Sequence, residues 1–363
     1  MQNTNSHERL FSMMLKAFVL LCIVELSLRV LPACEQPFVV YDMSDKVLLL
    51  DKNVQRDGVY TDGNLAQIKA NWHVNNKGWN SSYDYESGGA GKPIIAVIGN
   101  SYVEGRQVDS DKNVVAKLQE QLMGSYSCYN FGISGGKLST YLQISRYVHK
   151  NYNPKIIVVN IVDGDILDSL VENERQAKDS LLLINTPAGI AELPAKPYKP
   201  SSVKRFFRKF ALVRYFYLNK QAFTGEIIPI TSRKADKSLP VDQTDKIQRI
   251  SDFTFGKLKN ENPNSTIIIV LDAPRDDIYR GTMRKINVEY RKLVSNIAYK
   301  YGFHVVDLTT SLTNIYAKNN KQFDFDNNNH WNEYGHQIVS NQIYNYMLQA
   351  RIVTPVKNHK LKQ

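Results

Sequence analysis

Residues 94–105, Ile-Ile-Ala-Val-Ile-Gly-Asn-Ser-Tyr-Val-Glu-Gly, restrict this chain more than any other stretch. Residues 94–98 are an unbroken apolar run, β-branched except at Ala96, which suits a strand covered on both faces. The run breaks off in a small, polar turn, and helical spacing follows. Ser101 therefore stands at the carboxyl end of a buried strand, where open α/β sheets hold their ligands. The alternation continues downstream. Val114, Val115, Leu118 and Leu122 predict a helix over 111–122, and further helices are expected at 138–149, 284–301 and from the N-cap Asn332 to about 348. Strands are expected at 127–131, 155–162, 265–271 and 304–308. Such a pattern predicts a three-layer α/β/α fold, a central parallel sheet with helices on both faces.

The N-terminus adds one transmembrane helix to that expectation. Residues 10–31 are mostly apolar, with Arg9 and Lys16 at the start and Glu35, Asp42 and Asp45 beyond the end. This charge bias keeps the amino end in the cytoplasm and exports the rest to the periplasmic or extracellular face. Glu25 and Arg29 would each cost about 2.5–3.5 kcal/mol at the bilayer centre. Four residues apart on a helix, they can pair, and Arg29 can snorkel. An uncleaved single-pass anchor is favoured over a cleaved signal peptide, because Leu31-Pro32-Ala33 is a poor cleavage site. A lipoprotein-type site at Cys34 and an amphipathic helix on a soluble protein are the remaining readings.

The expected organisation is an anchor over 1–35, a juxtamembrane segment of short strands or turns over 36–91 that packs on the main domain, the α/β domain over 92–350 and a basic tail over 351–363. The length of 363 residues accommodates this. An insertion over 172–245 interrupts the domain, partly helical around 203–219. It carries Lys204-Arg205-Phe206-Phe207-Arg208-Lys209 and Arg214-Tyr215-Phe216-Tyr217, readable as a solvated helix face, a membrane-surface contact or an acidic-glycan site. The net charge of +11 permits nucleic acid, anionic lipid or acidic polymer as partner. Export and the lack of a recognised motif weigh against nucleic acid. Of the three cysteines, Cys34 and Cys128 are expected to be unpaired thiols, with one disulfide between them as the alternative that export permits, and no Cys/His spacing suggests a metal. No cofactor is expected.

Four blocks in order then carry chemistry: Gly99-Asn100-Ser101, Asn130-Phe131-Gly132-Ile133-Ser134-Gly135, Asp163-Gly164-Asp165, and His330-Trp331-Asn332-Glu333-Tyr334-Gly335-His336. Together they resemble the SGNH/GDSL hydrolase superfamily over residues 92–348, in a membrane-tethered, exported form. The resemblance implies Ser101 as nucleophile, His330 as general base and the Ser101 and Gly135 amides as oxyanion donors. A serine hydroxyl needs such a base, and its alkoxide needs preorganised donors. Gly164 stands where the family has its oxyanion asparagine, leaving the Gly164 amide, Asn160 or Asn130 as substitutes. Asn327-Asn328-Asn329 stand where the family has its histidine-supporting aspartate, and Asp326 lies one step too early. The site reads as a Ser-His dyad, a triad with Asp326, or a weakened site. Asp165 and Asp168 read as loop-bonding residues and His336 as structural. Arg275, following a strand on the same edge, is a candidate for binding an anionic substrate group, against an ordinary surface salt bridge.

The function implied is a serine esterase or O-acyltransferase acting, through an acyl-serine, on acyl groups of a cell-envelope glycan. The alternative is a catalytically degenerate domain that binds glycan or an envelope assembly partner.

Overall fold

The structure, a computed structural model, describes residues 2–31, 33–63, 66–87, 91–172, 180–195, 197, 201–218 and 238–354. Pro32, the far end of the helix expected to reach Asn219 and most of the expected basic tail lie outside them.

Helix α1 (Gln2–Val30) contains a stretch, His7–Val30, long and apolar enough to cross a membrane. Arg29 Nε donates to Glu25 Oε1 at 2.8 Å, the pairing their spacing predicts. Two antiparallel hairpins follow, β1 (Val39–Asp42) with β2 (Val47–Leu50) and β3 (Asp57–Asp62) with β4 (Ile68–His73). Strands and helices then alternate: β5 (Ile94–Gly99), α2 (Ser101–Glu104), α3 (Val114–Gln121), β6 (Ser127–Gly132), α4 (Leu138–Tyr152) and β7 (Ile156–Ile161). The expected insertion holds a hairpin, β8 (Leu182–Thr186) and β9 (Gly189–Leu193), and two short helices, α5 (Ser202–Phe207) and α6 (Ala211–Leu218). Next in the chain come α7 (Val241–Glu261), β10 (Thr266–Leu271), α8 (Arg275–Arg280), α9 (Lys285–Lys300), β11 (His304–Asp307) and α10 (Thr309–Asn319). A last hairpin, β12 (Asp324–Phe325) with β13 (Asn328–Trp331), leads into α11 (Glu333–Gln349).

The fold is a three-layer α/β/α sandwich. Its parallel sheet has the order β11-β10-β7-β5-β6. Successive strand residues feed opposite cores. Ala96, Ile98, Ile157, Val159, Ile267 and Ile269 join Ile144 of α4, Phe255 of α7 and Val294 of α9. Ile95, Val97, Val158, Ile268 and Val270 join Leu118 of α3 and Ile343 of α11. Burial on both faces explains why these strands read as continuous apolar runs.

Two features were not foreseen. Helix α7 starts inside the expected insertion; its buried stripe includes Ser251 and Thr254 among Ile247, Ile250, Phe255 and Leu258, which dilutes the apolar period. The insertion is also tied down: Arg146 on α4 makes paired bonds to Glu192 of β9 (2.8 and 2.6 Å) and to Glu261 of α7 (2.7 and 2.8 Å). At its other end, the Ala211 and Leu212 amides donate to Glu25 at 3.0 and 2.9 Å, joining α6 to α1.

The juxtamembrane segment covers the sheet's open edge. Strand β6 lies at that edge, where unpaired backbone invites association. Tyr85 Oη donates to the Asn130 carbonyl at 3.0 Å and accepts from the Asn130 amide at 2.7 Å, while Tyr83 Oη donates to the Cys128 carbonyl. The Tyr85 ring stacks on Tyr129 at 4.1 Å, and Trp79 meets Phe131 edge-on at 5.1 Å. Cys34 and Cys128 are both buried free thiols.

One glycine decides how closely the Ser101–Glu104 turn sits on the sheet. A Cβ on Gly132 would fall 2.1 Å from the Glu104 backbone nitrogen. Gly132→Ala is expected to destabilise the fold by about 3 kcal/mol through overpacking, read as a lowered denaturant midpoint with an unchanged m-value.

Candidate active site

The end of β5 presents Ser101 as the first residue of α2, a single turn closed by Gly105 at φ 65°. Asn100, not Ser101, caps that turn: its Oδ1 accepts from the Tyr102 amide at 3.0 Å. The Ser101 hydroxyl is thereby left to other partners. His330 comes from β13, 229 residues later, and its Nε2 lies 2.7 Å from Ser101 Oγ. Serine and histidine form a hydrogen-bonded pair.

The other ring nitrogen settles the tautomer. His330 Nδ1 lies 2.5 Å from Asn328 Oδ1, which also accepts from the His330 amide at 3.0 Å. An amide oxygen only accepts, so Nδ1 carries the proton and Nε2 presents its lone pair to the serine. Asp326, the expected third member, is corrected here. It sits exposed in the two-residue turn between β12 and β13, whereas residue 328, on the strand itself, meets the imidazole.

Behind the histidine, Tyr102 packs its ring at 4.9 Å from the imidazole, tilted by 30°. Its hydroxyl donates to the Asn329 carbonyl at 2.8 Å. Arg275 is also corrected. It is 7% exposed and bonded inward, to Asp272 Oδ2 at 2.5 Å, Asp324 Oδ2 at 3.3 Å, Tyr102 Oη at 2.9 Å and the Asn329 carbonyl at 2.7 Å. Its guanidinium lies over the Tyr102 ring at 5.1 Å. Proximity to a strand end suggested a ligand contact, but the first turn of α8 directs this side chain under the β12–β13 hairpin. It clamps the backbone that carries His330.

Burial lowers the His330 pKa to about 4, reinforced by Arg275 and Arg106 and opposed by Asp62. The imidazole is therefore neutral and able to accept a proton well below pH 6.5. The acidic limb of kcat/KM is expected near pH 4 rather than near 6.5, measured as a pH–rate profile of ester turnover.

The other expected oxyanion residues, Gly135 and Gly164, lie on loops at the carboxyl end of the sheet. Gly135, at φ 77°, follows Ser134, whose amide donates to Glu104 Oε2 at 2.8 Å and whose hydroxyl donates to the same carboxylate. Glu104 is fully buried, with Arg106 Nε 3.0 Å from its second oxygen. A Cβ on Gly135 would meet nothing within 4 Å, so this glycine faces open space and is required for its left-handed backbone. Gly164, at φ 100°, lies in the loop after β7. Its neighbour Asp165 accepts from the Val162 amide (2.8 Å), Tyr141 Oη (2.8 Å) and Asn100 Nδ2 (3.1 Å), and burial raises its pKa to about 7. Asp165 thus ties the third block to the first. Asn130 is engaged with the Val103 carbonyl and the Gly132 amide. Asn160 is buried beside Gly99 with neither side-chain amide atom hydrogen-bonded. His336 is buried and accepts from the Val114 amide at 3.1 Å.

Sequence reasoning missed Tyr102 and Asp62 as neighbours of the histidine. Asn328 was visible only as one of three consecutive asparagines, and strand alternation in β13 selects it.

The fold has relatives among solved structures. An acetyl xylan esterase shares 15% identity, with 70% of this chain and 100% of that one covered, at a TM-score of 0.43. A lipase/acylhydrolase from Enterococcus faecalis shares 12% identity over 73% and 99% of the two chains, at 0.39. A member of the lipolytic G-D-S-L family from Veillonella parvula shares 12% over 69% and 96%, at 0.38. No family model and no curated protein matches the chain. At such identities the catalytic reading rests on the side-chain geometry of this chain.

Proposed function

We propose that the chain is a membrane-tethered, exported serine esterase or O-acyltransferase of SGNH type, with Ser101 as nucleophile and His330 as base. One observation carries this: Ser101 Oγ at 2.7 Å from the unprotonated nitrogen of an imidazole whose other nitrogen is engaged. The serine proton passes to His330 Nε2 as Oγ attacks the acyl carbon. The backbone amides of Ser101, Gly135 and Gly164 are the candidate donors to the tetrahedral oxyanion. The imidazolium then returns its proton to the departing alcohol, leaving an acyl-Ser101. Water completes a hydrolase, and a sugar hydroxyl completes a transferase.

The substrate class proposed, an acyl ester of a cell-envelope glycan, is supported by the family resemblance and by the export that the N-terminal charge bias favours. Incubating the full chain in detergent with acetylated glycan, with and without an unacylated acceptor, tests it. Acetate release supports the esterase and acetyl movement to the acceptor supports the transferase. The absence of both, also with an activated acetyl ester, favours the degenerate glycan-binding reading, which Gly164 and Asn328 in place of the expected side chains motivate.

A further inference from the structure

The geometry points to Asp62, on the hairpin that precedes the sheet domain, as a positioning residue that sets the tautomer of His330 through Asn328. Asn328 Nδ2 donates to Asp62 Oδ2 at 2.6 Å, and Asn328 Oδ1 receives His330 Nδ1 at 2.5 Å. The chain Asp62–Asn328–His330–Ser101 is therefore continuous, with every link at 2.7 Å or less. This inference rests on the serine–histidine reading above.

The physical reason lies in what each group can accept. A carboxylate accepts and never donates when ionised, so it faces the NH₂ side of the Asn328 amide and turns the oxygen to the imidazole. With the amide reversed, its NH₂ would face Nδ1, the ring proton would move to Nε2, and Ser101 would have no acceptor. The His330 backbone amide holds the same Oδ1 at 3.0 Å and supports the orientation, but Asp62 supplies the charge. The cationic neighbours of His330 are Arg275 and Arg106, each with acidic partners: Asp272 and Asp324 for the first, Glu104 for the second. His336 and the Tyr102 phenol also lie close. Asp62 is the group that favours the imidazolium formed when Ser101 attacks.

The hairpin is docked for this. Asn327 Nδ2 donates to Gln67 Oε1 at 3.0 Å, immediately before β4. Gly63, at φ 76°, has no Cβ where one would fall 2.3 Å from Asn327 Nδ2. Asp62 itself is further held by the Gly63 amide at 2.8 Å and faces the Tyr60 hydroxyl at 3.4 Å. A segment expected only to pack on the edge of the main domain thus completes the site.

An exchange of the two side chains tests this. Full-length wild type, Asp62→Asn, Asn328→Asp and the double variant are compared by fluorophosphonate labelling of Ser101, by kcat and KM for an activated acetyl ester across pH, and by ¹⁵N chemical shifts of the His330 ring. Asp62→Asn is expected to lower kcat and the labelling rate by about 10- to 100-fold, the scale of a lost charge-assisted hydrogen bond, with KM little changed. Its acidic limb moves to lower pH, and its ring nitrogens shift toward a tautomer mixture. Asn328→Asp sets two carboxylates against each other and is also impaired. The double variant places the carboxylate on Nδ1 and the amide behind it, and recovers most of the loss. Wild-type rates and shifts in Asp62→Asn, or a double variant no better than either single one, overturn the inference. A wild type that does not label at Ser101 contradicts the serine–histidine reading instead, and the ring shifts still decide whether Asp62 sets the tautomer.

Discussion

Ser101→Ala and His330→Ala are each expected to lower kcat on an activated acetyl ester by between about 10² and 10⁶-fold, with the double variant no worse than either alone. The range follows from the third member. In a site whose imidazole is backed directly by a carboxylate, losing nucleophile or base costs the upper figure; where the carboxylate is gone, most of that advantage has already been lost. Here Asn328 orients His330 and Asp62 lies one hydrogen bond further back. A loss toward the upper end means that the amide transmits the carboxylate's effect, and a loss near the lower end means a dyad. Steady-state kinetics on folded variants, with unchanged unfolding midpoints, reads the difference. Additive losses would mean that the two side chains do not work as one unit.

The second large effect concerns stability. Arg275→Ala leaves the Asp272 and Asp324 carboxylates without their shared cation in a buried site, with Tyr102 and the Asn329 carbonyl each missing a donor. Breaking a buried, hydrogen-bonded ion pair from one side typically costs about 3–5 kcal/mol. For a domain of this size that lowers Tm by roughly 10 °C. Arg275→Lys should fare little better, because a point charge cannot reproduce a planar fork spread over four partners. Since the clamp holds the peptide next to His330, residual folded protein is also expected to lose kcat. Differential scanning calorimetry checks the first effect, and kinetics below the transition checks the second. An unchanged Tm would mean that the Arg275 network contributes little to the folded state.

The layered core was legible because its central strands β5, β7 and β10 carry apolar runs broken only at Asn160 and at their ends. Ile94–Gly99, Ile156–Ile161 and Thr266–Leu271 lie within a residue of where their β-branched runs place them. Asn332 caps the last helix as its position predicts, accepting from the Gly335 amide at 2.9 Å. What escaped the sequence was held by long-range contacts that leave no periodic trace. Helix α7 buries hydroxyls within its apolar stripe, and the β8–β9 hairpin depends on the Arg146 cluster. Short strands or turns were expected in the juxtamembrane segment, but without sustained alternation their pairing into two hairpins at 39–73 was not legible. At the site, the serine and the histidine could be read because each sits at an element boundary with a recognisable block around it. The supporting shell could not. Choosing Asn328 over Asp326 requires knowing that the chain turns tightly at 326–327, and finding Asp62 requires knowing which hairpin packs against that turn. Arg275 was visible as a charge after a strand, but its inward direction is set by the tertiary contacts of α8.

The most direct measurement is the reaction of the full chain with a fluorophosphonate, followed by peptide mapping. Adduct on Ser101, formed at a rate that is abolished in His330→Ala and that rises with pH from about 4, is the predicted result. A folded protein that stays unlabelled, or that carries the adduct on another serine, contradicts it.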